Sequence, residues 1–366
     1  GVLANIGPSG SKSQGAKAGI VIASPSQTNP DYFFTWTRDS SLVFKALIDQ
    51  YVSGADPTLL GQINNFVTAE AALQQVSNPS GTITTGGLGE PKFNTDMTAF
   101  TGAWGRPQRD GPALRATAMI TFANYLLTQN NVTYVNSTLW PLINNDLGYV
   151  RDNWSSSTFD LWEEVNSNSF FTTAVQHRSL REGVTLATAL GQTGVVSGFN
   201  TQAANLLCFL QSYWNGNFIT ANTGGGRSGI DANTVLTSVH TFDPLAGCDA
   251  VTFQPCSDKA LANHKVYVDS FRATYALNAG IASNAAVATG RYKEDSYQGG
   301  NPWYLTTLAA AEQLYQALYT WNKAGSLNVT TVSQPFFAQF VPSIATGTYA
   351  STSTTYTTLT TAIKTF

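Results

Sequence analysis

Phe159-Asp160-Leu161-Trp162-Glu163-Glu164-Val165-Asn166, followed by an amphipathic run from Phe170 to Leu190, is the unit from which the rest of the chain can be read. Three carboxylates and a tryptophan fall within five residues, in a chain whose charged fraction is only 11%. An average globular protein carries about 25%. Two readings of the acids are open. One is a helix N-terminus, with Asp as cap and Glu in the first turn, favoured by the helix dipole. The other is a general acid, since aromatic, water-poor surroundings penalise the charged carboxylate and keep its proton on. Working outward, the same layout recurs: a loop with aromatic and charged residues, then a helical period of apolar residues. Convincing strands are few. Many helices of similar length, with the chemistry in the loops, predict an all-α fold of helices paired in a ring or bundle.

Before the acidic run, Tyr32-Phe33-Phe34-Thr35-Trp36-Thr37-Arg38-Asp39 opens a helix continued by Leu42, Val43, Ala46 and Leu47. A second helix is expected over Thr58 to Val76, then a Gly-rich loop over Gly81 to Phe100. Loops of that length inside a compact domain are usually functional. Trp104-Gly105-Arg106-Pro107-Gln108-Arg109-Asp110-Gly111-Pro112 leads into a helix over Ala113 to Leu127, and another is expected over Leu139 to Val150. After the acidic run, helices are expected over Asn200 to Trp214, Val266 to Leu277 and Trp303 to Leu318. Residues 215–262 read as an irregular excursion, and Thr346 to Phe366 as a Ser/Thr-rich stretch turning helix-like. No linker is visible, so residues 1–366 read as one domain.

A net charge of −3 gives no basic field for a phosphate backbone, so no nucleic-acid partner is expected. No apolar run reaches the roughly 18 residues of a membrane helix; Ala18 to Ala23 is a buried strand or helix piece. Eight tryptophans, 15 tyrosines and 20 phenylalanines suit either a large core or stacking on the apolar faces of sugar rings. Cys248 and Cys256 flank a short Pro-containing loop and read as a local disulfide, stabilising by about 2–3 kcal/mol. Cys208, in an apolar helical run, is either a buried free thiol or paired outside this stretch. Sequons at Asn131, Asn136, Asn153 and Asn328, with the disulfide, favour an extracellular, secreted glycoprotein. The start at Gly1, with no methionine, points to processing or trimming. His177, His240 and His264 lack metal-ligand spacing, and no metal or cofactor is expected. No Gly-x-Ser-x-Gly elbow is present. Locally, Arg38–Asp39 and Arg291–Asp295 could each be structural ion pairs, and Trp104 either a core anchor or a stacking platform.

Taken together, Ala23-Ser24-Pro25-Ser26, Trp36 to Asp39, Gly87-Leu88-Gly89-Glu90-Pro91-Lys92-Phe93, Trp104 to Arg115, the acidic run, His240 to Pro244 and Gly290 to Trp303 resemble the fungal glucoamylases of glycoside hydrolase family 15. The resemblance runs over essentially the whole chain. It implies an (α/α)6 barrel, short at both ends in this stretch. It implies exo-acting hydrolysis of α-1,4-linked and, more slowly, α-1,6-linked glucose from non-reducing ends, with inversion. Starch and malto-oligosaccharides are the implied partners, and a monomer is expected.

Carried over residue by residue, Glu163 is the implied general acid. Arg38, Asp39, Tyr32 and Trp36 would grip the terminal glucose, with the Leu161–Trp162 backbone facing it. Glu164 and Arg291 would hold the aglycone side, Trp104 would pack over the acid, and Asp295, Tyr297 and Trp303 would line the pocket wall. Phe100 stands where the family more often has tyrosine. An inverting enzyme also needs a base about 6.5–9.5 Å from the acid. Asp160, three residues from Glu163, is too close to seat that water if the run is helical, and reads as a supporting carboxylate of the catalytic pair. The base motif and the partner of Cys208 are expected beyond Phe366, so the stretch is read as part of a complete barrel. A non-catalytic sugar-binding barrel and a polysaccharide lyase are the competing readings.

Overall fold

The computed structural model describes residues 1–366. Twelve helices occur in chain order: α1 (Thr37–Val52), α2 (Leu60–Gln74), α3 (Asp110–Thr128), the single turn α4 (Val132–Tyr134), α5 (Trp140–Asn153), α6 (Phe170–Ala189), α7 (Thr193–Leu210), α8 (Asn233–His240), α9 (Asp258–Ser270), α10 (Tyr304–Ala324), α11 (Gln334–Ala338) and α12 (Thr354–Thr365). Strands are short and pair antiparallel: β1 (Thr35–Trp36) with β2 (Lys92–Phe93), β3 (Thr158–Phe159) with β4 (Asn166–Ser167), and β5 (Ser326–Val329) with β6 (Gly347–Ala350). The fold is all-α, as the recurring helical period predicts. No helix is long and apolar enough to cross a membrane. The chain folds into two compact units: Gly1–Asn168 with Val175–Leu206, and Ser169–Ala174 with Leu207–Phe366.

In the first unit α1 packs on α3, and α3 on α5. Phe44 of α1 stacks on Phe66 of α2 with ring centroids 4.2 Å apart. Gly183 of α6 has no side chain because a Cβ there would stand 2.3 Å from Leu147 of α5. Arg115 of α3 is buried and ties three helices: it donates to Asp146 of α5 at 2.7 and 2.8 Å and to Glu70 of α2 at 2.8 Å. Burial pushes the pKa of both carboxylates up, and Arg115 pulls each back down. The segment Ile20-Val21-Ile22 is buried, and Val21 bridges to Ile6.

In the second unit one core gathers Leu261, Leu314, Trp321, Phe336, Phe337 and Leu359. A second gathers Phe170, Leu210, Tyr213, Ile219 and Phe253. Cys248 and Cys256 are joined by a disulfide. His264 is buried, and its Nε2 lies 3.0 Å from the Ala310 carbonyl. A carbonyl only accepts, so Nε2 carries the hydrogen. Burial depresses its pKa to about 4, and the ring is neutral.

Four local expectations are corrected. Cys208 is exposed rather than buried, because it falls on the outer side of α7 while Leu206 and Leu210 are buried. The helix expected from Val266 starts at Asp258, where the Ser257 side chain accepts from the Ala260 N–H at 3.2 Å and Asp258 sits in the first turn. Residues 215–262 contain α8, a short helix hidden by the Gly/Asn-rich sequence around it. Residues Gly347–Ala350 form β6 against β5 before α12 begins.

Candidate active site

The acidic run is not a helix start. It is the loop of the β3–β4 hairpin, with Thr158 opposite Ser167 and Phe159 opposite Asn166. The helix begins at Phe170. Asp160 is buried and makes the loop: its N–H donates to Val165 O at 2.9 Å, and its Oδ1 accepts from the N–H groups of Glu164 (2.9 Å) and Val165 (3.1 Å). The Glu163 N–H closes a turn on Asp160 O at 2.8 Å. The bracket leaves Glu163 at φ 65°. A non-glycine residue there is uncommon and costs on the order of 1–3 kcal/mol. The helical spacing used to set Asp160 beside Glu163 therefore does not apply, and the supporting role rests on these backbone bonds.

Glu163 reaches residues delivered by β1, α1 and the loop before α3. Its Oε1 accepts from Trp36 Nε1 at 2.6 Å and from Gln108 Nε2 at 2.8 Å, and Arg38 Nη2 lies 3.8 Å away. The Gln108 amide has one possible orientation. Its nitrogen faces two acceptors, Glu163 Oε1 and Gly105 O (3.0 Å), and its oxygen accepts from Arg38 Nη1 at 2.8 Å. Arg38 also donates to Asp110 Oδ2 at 3.0 Å and lies 3.6 Å from Asp39. Burial opposes the charge on Arg38, but Asp110, Asp39 and Glu163 outweigh it and raise the guanidinium pKa. Asp39 keeps 41% of its side chain open. The protein around its carboxyl still pushes its pKa up; Arg38 opposes this, and Glu163 and Asp110 add to it.

Both donors converge on Oε1, and no protein donor reaches Oε2. When Glu163 is protonated, two N–H donors already saturate Oε1, so the hydrogen sits on Oε2. One oxygen is thus held by the protein and the other meets no protein donor. That is the geometry a general acid requires.

An aromatic wall surrounds this acid. Trp36 packs against Trp104 (centroids 5.8 Å apart) and Tyr32 (6.2 Å). Phe100 packs against Trp104 and Phe34. Trp104 is half-buried, and its inaccessible Nε1 has no hydrogen-bond partner. Leu161 and Val165 are buried, Trp162 is half-buried and Glu164 is exposed. In the second unit, Arg291, Asp295, Tyr297 and Trp303 form a cluster. Arg291 grips Asp295 through two bonds of 2.6 and 2.7 Å, Tyr297 N–H donates to the same carboxylate at 2.8 Å, and the guanidinium lies 5.1 and 5.4 Å from the Tyr297 and Trp303 rings.

Two side chains at the acid, Gln108 and Lys92, were not singled out from the sequence. Gln108 is neutral and offers no charge signal among its arginine neighbours. Lys92 falls in the stretch expected as a Gly-rich loop, and the pairing of β2 with β1 buries it. Among the sequons, Asn131 and Asn328 are exposed, Asn136 is half-buried, and the Asn153 amide nitrogen is engaged with Tyr149 O at 3.0 Å.

The all-α fold thus carries a glutamate held through one oxygen, beside an Arg–Asp pair and an indole wall. The chain belongs to glycosyl hydrolases family 15, whose family model matches residues 1–366. It is 63% identical to glucoamylase-1 of Schizophyllum commune, over 100% of this chain and 63% of that protein. It is 52% identical to the glucoamylase of Neurospora crassa, over 100% of this chain and 58% of that one. The solved family 15 glucoamylase of Hypocrea jecorina superposes with a TM-score of 0.97 at 54% identity, covering 100% of this chain and 61% of that chain. The glucoamylase structure from Saccharomycopsis fibuligera superposes with a TM-score of 0.89 at 31% identity, covering 100% and 82%. The fold class is that of these family 15 enzymes, the (α/α)6 type. The chain spans roughly three fifths of the length of the first two relatives, 63% and 58%.

Proposed function

We propose that residues 1–366 belong to a single glucoamylase-type catalytic domain. It removes terminal glucose from the non-reducing ends of starch and malto-oligosaccharides, with inversion, cutting α-1,4 links and, more slowly, α-1,6 links. The observation that carries this reading is the convergence of Trp36 and Gln108 on Glu163 Oε1, which leaves Oε2 to donate. Glu163 protonates the glycosidic oxygen. Asp160 supports it by fixing the loop, and its own Oδ1 is committed to two backbone N–H groups. Arg38 and Asp39 bind the hydroxyls of the terminal glucose, with Tyr32, Trp36 and Trp104 as apolar walls and the Leu161–Trp162 backbone alongside. Glu164 and Arg291 serve the aglycone side, and Asp295, Tyr297 and Trp303 serve as wall residues. Inversion requires a second carboxylate at about 6.5–9.5 Å to activate water; no residue among 1–366 is assigned that part. A secreted glycoprotein fits the disulfide and the exposed sequons, and a monomer is proposed with it.

Glu163→Gln tests the reading. Glucose release from maltoheptaose should fall by about 10²–10⁴-fold while the sugar still binds by calorimetry. Turnover within a few-fold of wild type would overturn it. The competing readings gain nothing from the relatives, which bear hydrolase names.

A further inference from the structure

Lys92 is 2% exposed, yet its ammonium pairs with no carboxylate. It lies instead against four aromatic rings, with centroids at 3.6 Å (Trp104), 4.0 Å (Phe34), 4.1 Å (Phe100) and 4.8 Å (Trp36). Taking an ammonium out of water is costly, and cation–π attraction offsets only part of that cost. A neutral side chain of similar length would fill the enclosure more favourably. A charge kept at a site where an apolar group would be more stable points to a use for the charge. One of the four rings, Trp36, donates to Glu163 Oε1 at 2.6 Å.

We infer that Lys92 is a positioning residue for the general acid: its caged ammonium fixes the Trp36 and Trp104 rings and stabilises the negative charge that forms on Glu163 as the proton leaves. The inference rests on Glu163 being that acid. In the step, the Glu163 Oε2–H bond breaks, its electron pair stays on the carboxylate, and the proton goes to the glycosidic oxygen. That oxygen departs with the C–O pair, and water adds to the anomeric carbon as the new hydroxyl, its second proton going to the base carboxylate that inversion requires and that no residue among 1–366 is assigned. The charge on Glu163 exists only from the transition state onward, so a nearby fixed cation lowers the barrier without tightening substrate binding. A cation over the Trp36 face also draws electron density from the indole and strengthens its N–H as a donor to Oε1. The charged groups facing the ammonium are Glu163 and Asp31, which favour its charge, and Arg106, which opposes it. Burial outweighs them and brings the lysine pKa down to about 8.

The test compares Lys92→Met and Lys92→Arg with Glu163→Gln, each in the protein at its natural length. Lys92→Met should lose about tenfold or more in kcat on maltoheptaose, with KM within about threefold and Tm equal to or above wild type. Lys92→Arg should recover most of the kcat. In wild type, tryptophan emission should titrate with a midpoint near pH 8, and Lys92→Met should lack that step. Wild-type kcat in Lys92→Met overturns the inference. So does a loss that tracks a fall in Tm and is not restored by arginine. If Glu163→Gln is inactive while Lys92→Met is fully active, only this inference falls. If Glu163→Gln itself turns over, the acid assignment falls first.

Discussion

At the scale of single residues, Glu163 is held in a backbone conformation that its own side chain does not favour, at φ 65°. Asparagine adopts that region several-fold more readily. Glu163→Asn relieves about 0.5–1 kcal/mol of that strain, but its shorter side chain withdraws the acceptor of Trp36 and Gln108, so the variant is expected to be inactive and no more stable than wild type. Urea midpoints and glucose release check this, and a Glu163→Asn clearly more stable than wild type would mean that the two donors do not depend on the Glu163 oxygen. Gln108 is the other residue on which the acid depends. Replacing it with leucine removes one donor from Oε1 and leaves the Arg38 guanidinium without one acceptor. The expected loss is about tenfold to a hundredfold in kcat/KM, mostly in kcat, measured on maltose and maltoheptaose.

At the scale of elements, cap residues decide where helices begin. Ser257→Ala removes the side-chain bond to Ala260 N–H and should cost about 1 kcal/mol, read by thermal or urea unfolding. The helices were legible because their apolar residues recur at helical spacing, as in Ile63, Phe66, Val67 and Leu73 of α2. The boundary near residue 258 was not, because Ser257-Asp258 was absorbed into the Gly/Asn/Pro-rich stretch before it. The two-residue strands β3 and β4 left no period to detect. A run of Asp and Glu before an apolar segment looks the same whether it caps a helix or tips a hairpin. What separates the two is the Asp160 carboxylate receiving N–H groups from its own loop, a fact of geometry with no trace in composition. The acidic run stood out because charges are few in this chain, while the roles given to Glu163, Arg38, Trp36 and Trp104 came from the family resemblance. Gln108 and Lys92 were not legible, since only tertiary pairing brings them to the acid.

At the scale of the molecule, buried titratable groups set how stability varies with pH. His264 is neutral in the fold with a pKa near 4, against an ordinary value of 6.5. Between those values the unfolded chain binds more protons than the native one. Its contribution is present above about pH 6.5 and lost as pH falls toward 4, roughly 3 kcal/mol in all. Urea midpoints at pH 7 and pH 4.5 should separate in wild type and converge in His264→Phe; equal separation in both would remove His264 from the account. The opposite behaviour is expected at the buried trio. Arg115→Met leaves Glu70 and Asp146 facing each other without a cation and should cost about 3–5 kcal/mol at neutral pH. Lowering the pH protonates those carboxylates, so that deficit should shrink.

The donors aimed at Oε1 also dictate what an amide must do in place of the acid. In Glu163→Gln the new carbonyl oxygen has to meet Trp36 and Gln108, so its NH2 group turns to the position the proton held. The variant is then a decoy of the loaded enzyme, offering a hydrogen it cannot surrender, and is well suited to capturing an intact sugar chain. An alanine there would instead strand two donors.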